Sequence, residues 1–372
     1  MLTKEELLRY NRQMLLPEFG KEGQERLKAG SVLVVGAGGL GSPALLYLAA
    51  AGVGRIGILD FDKVDVSNLQ RQILYATTDA GSDKSLTAKE RLEALNPLIQ
   101  IETHNTFLNV SNAIDIVSGY DVVIDGSDNL PTRYLVNDAC VLQKKTLIYG
   151  AIFQFEGHVS VFNQPDEQGN RGPNYRDLFP DPPPPEMVPA CNVSGVMGSL
   201  PGIIGTMQAH EAIKVISCVG TTLSGRLFIL DCLDFSTRFV NVRRNLKAEP
   251  ITSLIDYEAF CNPKSKTTLQ EISAWDLKNM LDERTSIQLI DVREPFEFKL
   301  GNLGGSNIPV NIIHHHLHSI NRDVPVVLHC KSGQRSHIAA RKLSDEGFIN
   351  IHHLKGGLIA WKNDIDNEFQ LY

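Results

Sequence analysis

The chain has 372 residues, 42% hydrophobic and 21% charged, with a formal net charge of -7. That length exceeds what one core usually serves, so two domains are expected, and an acidic balance without a basic run argues against nucleic acid, whose phosphates demand dense Lys and Arg. Met1-Leu2-Thr3-Lys4-Glu5-Glu6 is polar where a secretory signal is apolar, and no apolar run suits a bilayer, so a cytoplasmic protein with no membrane partner is expected.

In chain order, residues 2–27 read as helical and lead into Ser31-Val32-Leu33-Val34-Val35, a short apolar run suited to a buried parallel strand. The Ala/Leu-rich stretch 43–51 reads as helix and 55–61 as strand, which completes a βαβ unit. Further strands are expected at 121–125, 146–150, 226–231 and 239–243, with an apolar helix over 205–216. Residues 164–189, with four consecutive prolines at 182–185, are expected to form a long loop without regular structure.

The polar stretch 247–268 reads as a linker between domains 1–246 and 269–372. A second βα alternation follows, with strands at 287–291 and 324–330 and helices after Ser273 and Ser336.

Gly36-Ala37-Gly38-Gly39-Leu40-Gly41 follows a strand and opens a helix, where glycines let a phosphate approach backbone N–H groups at the helix N-terminus. Asp60, ending the second strand, suits a ribose hydroxyl, and up to this point a Rossmann fold for NAD fits as well. Asp60-Phe61-Asp62 and Ser67-Asn68-Leu69-Gln70-Arg71-Gln72 then add carboxylates, an amide and a guanidinium beyond the strand end, the groups a triphosphate requires.

With these motifs, residues 8–244 resemble the MoeB/ThiF family of sulfur-carrier adenylyltransferases, related to ubiquitin-activating enzymes. The resemblance implies an α/β fold, a Rossmann-like adenylation domain of the ubiquitin-activating-enzyme type. It also implies that Gly36, Gly38, Gly39, Gly41, Asp60, Asp62, Ser67, Asn68, Arg71, Lys84, Asp128 and Asn129 bind ATP, with Asp128 holding Mg²⁺. Arg71 and Lys84 would neutralise charge as a carboxylate attacks the α-phosphate. Arg12 matches an arginine that reaches the neighbouring subunit's γ-phosphate, which implies a homodimer, and Cys191 matches the conjugating cysteine.

The chain departs from the family in its zinc site. Asn174 and Asp177 stand where the first C-x-x-C pair belongs, no second pair follows Arg244, and the six cysteines Cys140, Cys191, Cys218, Cys232, Cys261 and Cys330 form no such pair, so no zinc is expected.

Asp291-Val292-Arg293-Glu294-Pro295-Phe296-Glu297-Phe298, His329-Cys330-Lys331-Ser332-Gly333-Gln334-Arg335-Ser336 and Gly356-Gly357-Leu358-Ile359-Ala360-Trp361 resemble a small α/β rhodanese domain over 269–372. Cys330 ends a strand and opens a tight loop. Converging N–H groups with Lys331 and Arg335 would there stabilise a charged sulfur or its persulfide. A cysteine-to-arginine anion cradle built alike occurs in tyrosine phosphatases, and the flanking motifs favour the sulfurtransferase. The rhodanese Gly-His becomes Gly301-Asn302, and His314-His315-His316-Leu317-His318 is not expected to bind metal, since neighbouring side chains diverge.

Together the two ends imply adenylation of a ubiquitin-like sulfur carrier ending in Gly-Gly, with a persulfide on Cys330 supplied by a cysteine desulfurase or thiosulfate. Molybdopterin, thiamine and tRNA-thiolation routes all stay open. The rivals are an NAD-dependent oxidoreductase fused to a redox domain, and a ubiquitin-like-protein binding module with a regulatory rhodanese domain.

Overall fold

A computed structural model describes residues 1–183, 195–261 and 269–371, which divide into two units. In the first, β1 (Ser31–Val35) is buried along its whole length because every residue after Ser31 is apolar and both faces are covered. It lies between β2 (Arg55–Leu59) and β4 (Val122–Asp125), both parallel to it, and β3 (Gln100–His104) extends the sheet beyond β2. Beyond β4 come β5 (Thr146–Phe153), parallel, then β6 (Glu156–Phe162), β7 (Arg226–Asp231) and β8 (Thr237–Asn241), each antiparallel to its neighbour. The order is β3-β2-β1-β4-β5-β6-β7-β8.

Register makes the site. Val35 pairs with both Leu59 and Asp125, so β1, β2 and β4 end level and the loops that leave them stand side by side, where the strand order reverses and α/β sheets bind ligands. The helix Gly41–Ala51 starts at this edge, and the helix Ser199–Ser217 packs Leu200, Ile204, Ala209 and Ala212 into the same core.

Three segments differ from the sequence reading. The N-terminal helix divides into Lys4–Arg9, Asn11–Met14 and Gly20–Ala29, because Pro17 disfavours helix before it and Gly20 turns at φ +54°. Within the loop 164–183, Tyr175–Leu178 forms one helical turn, initiated by the side chain of Asn174. Within the stretch read as linker, Tyr257–Cys261 is helical, with Tyr257 and Cys261 buried in the first unit's core and the Tyr257 hydroxyl donating to Asp138 Oδ2 at 2.8 Å.

The second unit is a parallel sheet of β9 (Gln270–Ile272), β10 (Gln288–Asp291), β11 (Ser306–Asn307), β12 (Val326–His329) and β13 (Ile351–Leu354), ordered β11-β10-β12-β13-β9. A Ser273–Asp276 capping box starts the helix Ala274–Asp282. Leu277, Leu289, Val327, Leu354 and Trp361 fill a core beneath it.

Candidate active sites

In the first unit two glycines are required by close approach. Gly36 lies at φ +90° with its absent Cβ pointing to 2.9 Å from the Gly126 carbonyl, and a Cβ on Gly41 would lie 1.9 Å from the Gly36 carbonyl. The loops after β1 and β4 therefore touch backbone to backbone at the start of the helix Gly41–Ala51, whose N-terminus favours an anion.

Asp60 joins this loop to the next. Its Oδ2 accepts from Ala37 N and its Oδ1 from Asp62 N, both at 2.8 Å, which leaves lone pairs for a hydroxyl donor. Burial pushes its carboxyl above the ordinary range, against the pull of Lys84. Lys84, buried at the start of the helix Lys84–Leu95, donates from Nζ to Asp62 Oδ2 at 3.0 Å. Arg71 Nη2 donates to Asn68 Oδ1 at 2.9 Å, and Ser67 is exposed beside them.

At the end of β4, Asp125 Oδ1 accepts from Ser127 N and Oγ at 2.9 and 2.5 Å, folding the turn that carries Asp128 into solvent. Asn129 caps the helix Leu130–Leu142, its Oδ1 accepting from Thr132 N at 2.9 Å. Arg12 is exposed on Asn11–Met14 and has no hydrogen-bond or ion-pair partner among the described residues. Cys191 lies outside the described residues.

Several residues around the site went unread. Gln72 is buried with its Oε1 unpartnered, and its Nε2 would lie 3.5 Å from a Cβ on Gly38. Tyr75 donates to the Ala37 carbonyl at 2.9 Å, and Gln208 Nε2 donates to the Asp125 carbonyl at 2.7 Å. Gln72 lay inside a quoted motif but carries no charge, and Gln208 is distant in sequence, so neither gave a signal.

At the zinc-replacing positions, Asp177 Oδ2 accepts from Asn174 N at 2.7 Å and its Oδ1 accepts from Asn245 N at 2.8 Å. The residues standing in for thiolates thus tie together by hydrogen bonds the two segments where the cysteine pairs were sought. Among the described residues no group of three or more His, Cys, Asp or Glu is arranged to hold a metal.

In the second unit Cys330 is fully buried at the end of β12. Its sulfur accepts from Gly333 N at 3.2 Å and Ser336 N at 3.4 Å, so residues 331–336 wrap N–H groups around it. Gly333 sits at φ +91°, opening the helix Gln334–Asp345. Ser332 and Gln334 are exposed, and Lys331 is half-buried.

Arg335, expected to add positive charge at the sulfur, has a carboxylate partner. Nη1 and Nη2 donate to the two oxygens of buried Glu297 at 2.6 and 2.8 Å. Burial opposes its charge, and Glu297 outweighs that, holding the guanidinium above its ordinary value. Behind Cys330, Asp291 and Arg293 form a fully buried pair at 2.6 Å. His329 beside them has neither ring nitrogen bonded, and burial pushes it down to about 4. His314 and His315 lie on one short 3-10 turn and His318 on a second, with His316 capping both.

A sheet whose switch point carries a glycine loop, a buried lysine and an exposed aspartate, on a chain whose second unit holds a cradled cysteine, defines a two-part transferase. The ThiF family description matches residues 10–250, and a rhodanese-like domain matches 273–364. The chain belongs to the ThiF family and carries a C-terminal rhodanese-like domain.

It is 44% identical over 379 aligned residues to a probable adenylyltransferase/sulfurtransferase MoeZ of Mycobacterium tuberculosis, covering 100% of this chain and 96% of the relative. A sulfur carrier protein adenylyltransferase of Thermus thermophilus is 55% identical over 70% of this chain and 98% of its own length. Among solved structures, E. coli MccB bound to MccA-N7isoASN superposes with a TM-score of 0.57 at 19% identity, over 66% of this chain and 73% of that one, which shows a shared fold. The chain is an enzyme with adenylyltransferase and sulfurtransferase parts.

Proposed function

We propose that the chain adenylates the C-terminal glycine of a ubiquitin-like sulfur carrier ending in Gly-Gly, and passes it persulfide sulfur from Cys330 to make a thiocarboxylate. The observation that carries this reading is the cradled sulfur of Cys330 on a chain whose other unit gathers Asp60, Lys84, Arg71 and Asp128 at level strand ends.

In the adenylation unit, proposed as 1–246 with the helix Tyr257–Cys261 added, Asp60 holds the ribose. The N-terminus of Gly41–Ala51 takes phosphate oxygens, while Arg71 and Lys84 neutralise charge as the carrier carboxylate attacks. Mg²⁺ supplies further neutralisation of the phosphates when bound. Asp128 suits it as a hard oxygen donor in solvent, and Mg²⁺ commonly takes only one or two protein carboxylates besides substrate phosphates. Arg12, exposed and unpaired, is available to a second protomer's nucleotide in a homodimer.

In the unit proposed as 269–372, Cys330 thiolate attacks the outer sulfur of a donor. The donor's S–S bond breaks, and its remainder leaves with the electron pair. The Cys330 persulfide then displaces AMP from the acyl-adenylate, giving an acyl disulfide. A thiol, for which Cys191 is the candidate, attacks the Cys330 sulfur and releases the thiocarboxylate, and an external dithiol reduces the disulfide left behind. A cytoplasmic setting without zinc fits this chemistry, in a molybdopterin, thiamine or tRNA-thiolation route.

The test is mass spectrometry of a Gly-Gly carrier incubated with the chain, ATP and a persulfide donor. Replacement of one oxygen by sulfur is expected, and absence of carrier-dependent ATP–pyrophosphate exchange would sink the reading.

A further inference from the structure

We infer that Glu297 sets the charge of the persulfide loop and thereby selects against small dianionic sulfur donors, in favour of a persulfide presented on a protein cysteine. This rests on Cys330 being the sulfur carrier, as proposed above.

Glu297 is 3% exposed, and its Oε2 also accepts from Glu294 N at 2.8 Å in the capping box that starts Pro295–Leu300. Its carboxylate is thus fixed by its own helix, and both oxygens face Arg335, one against each terminal nitrogen. Bidentate pairs of this kind are strong and geometrically specific. Behind Cys330 the other buried charges cancel as well, since Asp291 pairs with Arg293 and His329 is neutral. The cradle turns the backbone N–H groups of Gly333 and Ser336 towards sulfur. That arrangement suits one sulfur anion. A second and third negative charge would meet Lys331 but not the charge of Arg335, which Glu297 holds.

The two classes of donor differ in that respect. With thiosulfate, Cys330 thiolate forms a bond to the outer sulfur, the S–S bond breaks and sulfite leaves with the electron pair. Three negative charges then share the transition state. A protein persulfide attacked at its terminal sulfur releases one cysteine thiolate, so the approaching group brings at most one charge. A loop whose arginine is already neutralised penalises the first reaction and leaves the second almost untouched.

The experiment uses the full chain with Glu297→Gln, which keeps the side-chain shape and removes its charge, and Glu297→Asp, which keeps the charge. Thiosulfate:cyanide transfer and transfer from a persulfide-loaded cysteine desulfurase are measured with kcat and KM separated. Glu297→Gln should lower the KM for thiosulfate and raise its kcat/KM by about tenfold, the effect of one released cation. It should not raise transfer from the desulfurase, and Glu297→Asp should raise neither.

A parallel fall in both reactions would overturn the inference and leave Glu297 as a prop for the loop. A parallel rise would overturn it too. Should Glu297→Gln not fold, a Lys331→Gln chain still tests the idea, because with that cation removed the thiosulfate kcat/KM should change little with added salt, and a steep fall would contradict an Arg335 neutralised by Glu297. Failure of the underlying reading looks different, since Cys330→Ala would then transfer sulfur at the wild-type rate.

Discussion

Lys84 Nζ sits 3.0 Å from Asp62 Oδ2, a buried lysine paired with an aspartate that is half open to water. The pair parks a cation at the edge of the phosphate loop without neutralising it deeply. Lys84→Ala should therefore lower carrier-dependent ATP–pyrophosphate exchange by about a hundredfold or more, as expected when one transition-state cation is lost. Asp62 left behind stays hydrated, so the melt should hardly move. Exchange near the wild-type rate in a folded variant would remove Lys84 from the reaction.

Asp128 gives a sharper case. It points into solvent from a turn held by Asp125 and Ser127, so its own carboxylate supports little of the fold. Asp128→Ala should nearly abolish adenylate formation while leaving circular dichroism and melting unchanged. Residual exchange should need far more Mg²⁺ than the wild type, and an unaltered Mg²⁺ dependence would contradict the assignment.

What the sequence made legible follows from distance along the chain. Val32 to Val35 could be read as a buried strand because four apolar residues end in glycine, and the motif from Asp60 to Gln72 is contiguous. The helix Lys84–Leu95 was not read, because its few buried positions stand among charged residues. Arg335 was read as adding positive charge, with no sign of its partner Glu297, which lies 38 residues away and is brought to it only by packing. The same holds for Gln208, which reaches the Asp125 carbonyl across 83 residues.

Asp177 should matter to stability in place of a metal. It accepts from the backbone N–H groups of Asn174 and Asn245 and from Asn174 Nδ2, and Asp177→Ala strands these donors at a cost of about 1–2 kcal/mol. A melting point lower by roughly 2–8 °C is expected for a unit of this size. Chelation of the wild-type chain should change nothing, and one tightly held zinc whose removal lowers the melt would refute the replacement.

His329 predicts how the second unit responds to acid. Its pKa, held at about 4 by burial, lies below the value near 6.5 of the unfolded chain, so the unfolded state binds the extra proton first. Stability is therefore full above about pH 6.5, falls as pH drops towards 4, and totals a loss of about 3 kcal/mol. Both tryptophans, Trp275 and Trp361, belong to this unit, so fluorescence during denaturation follows it selectively. His329→Leu removes a ring that has no hydrogen bond, and should flatten the acid limb. An unchanged pH profile in that variant would assign the loss to other groups.

Cys330→Ala should divide the two activities. Every residue assigned to ATP lies in the first unit, and replacing a sulfhydryl by hydrogen removes little volume from the second, so carrier-dependent pyrophosphate exchange should persist at the wild-type rate. Thiosulfate:cyanide transfer should vanish, because the sulfur faced by Gly333 N and Ser336 N is the nucleophile. Thiocarboxylate formation should vanish with it whenever the donor must act through the enzyme. Cys191→Ala should instead keep thiosulfate:cyanide transfer, with any defect confined to the carrier. Mass spectrometry of the carrier reads the outcome directly, and a Cys330→Ala chain that still made thiocarboxylate from thiosulfate at full rate would place the sulfur source elsewhere.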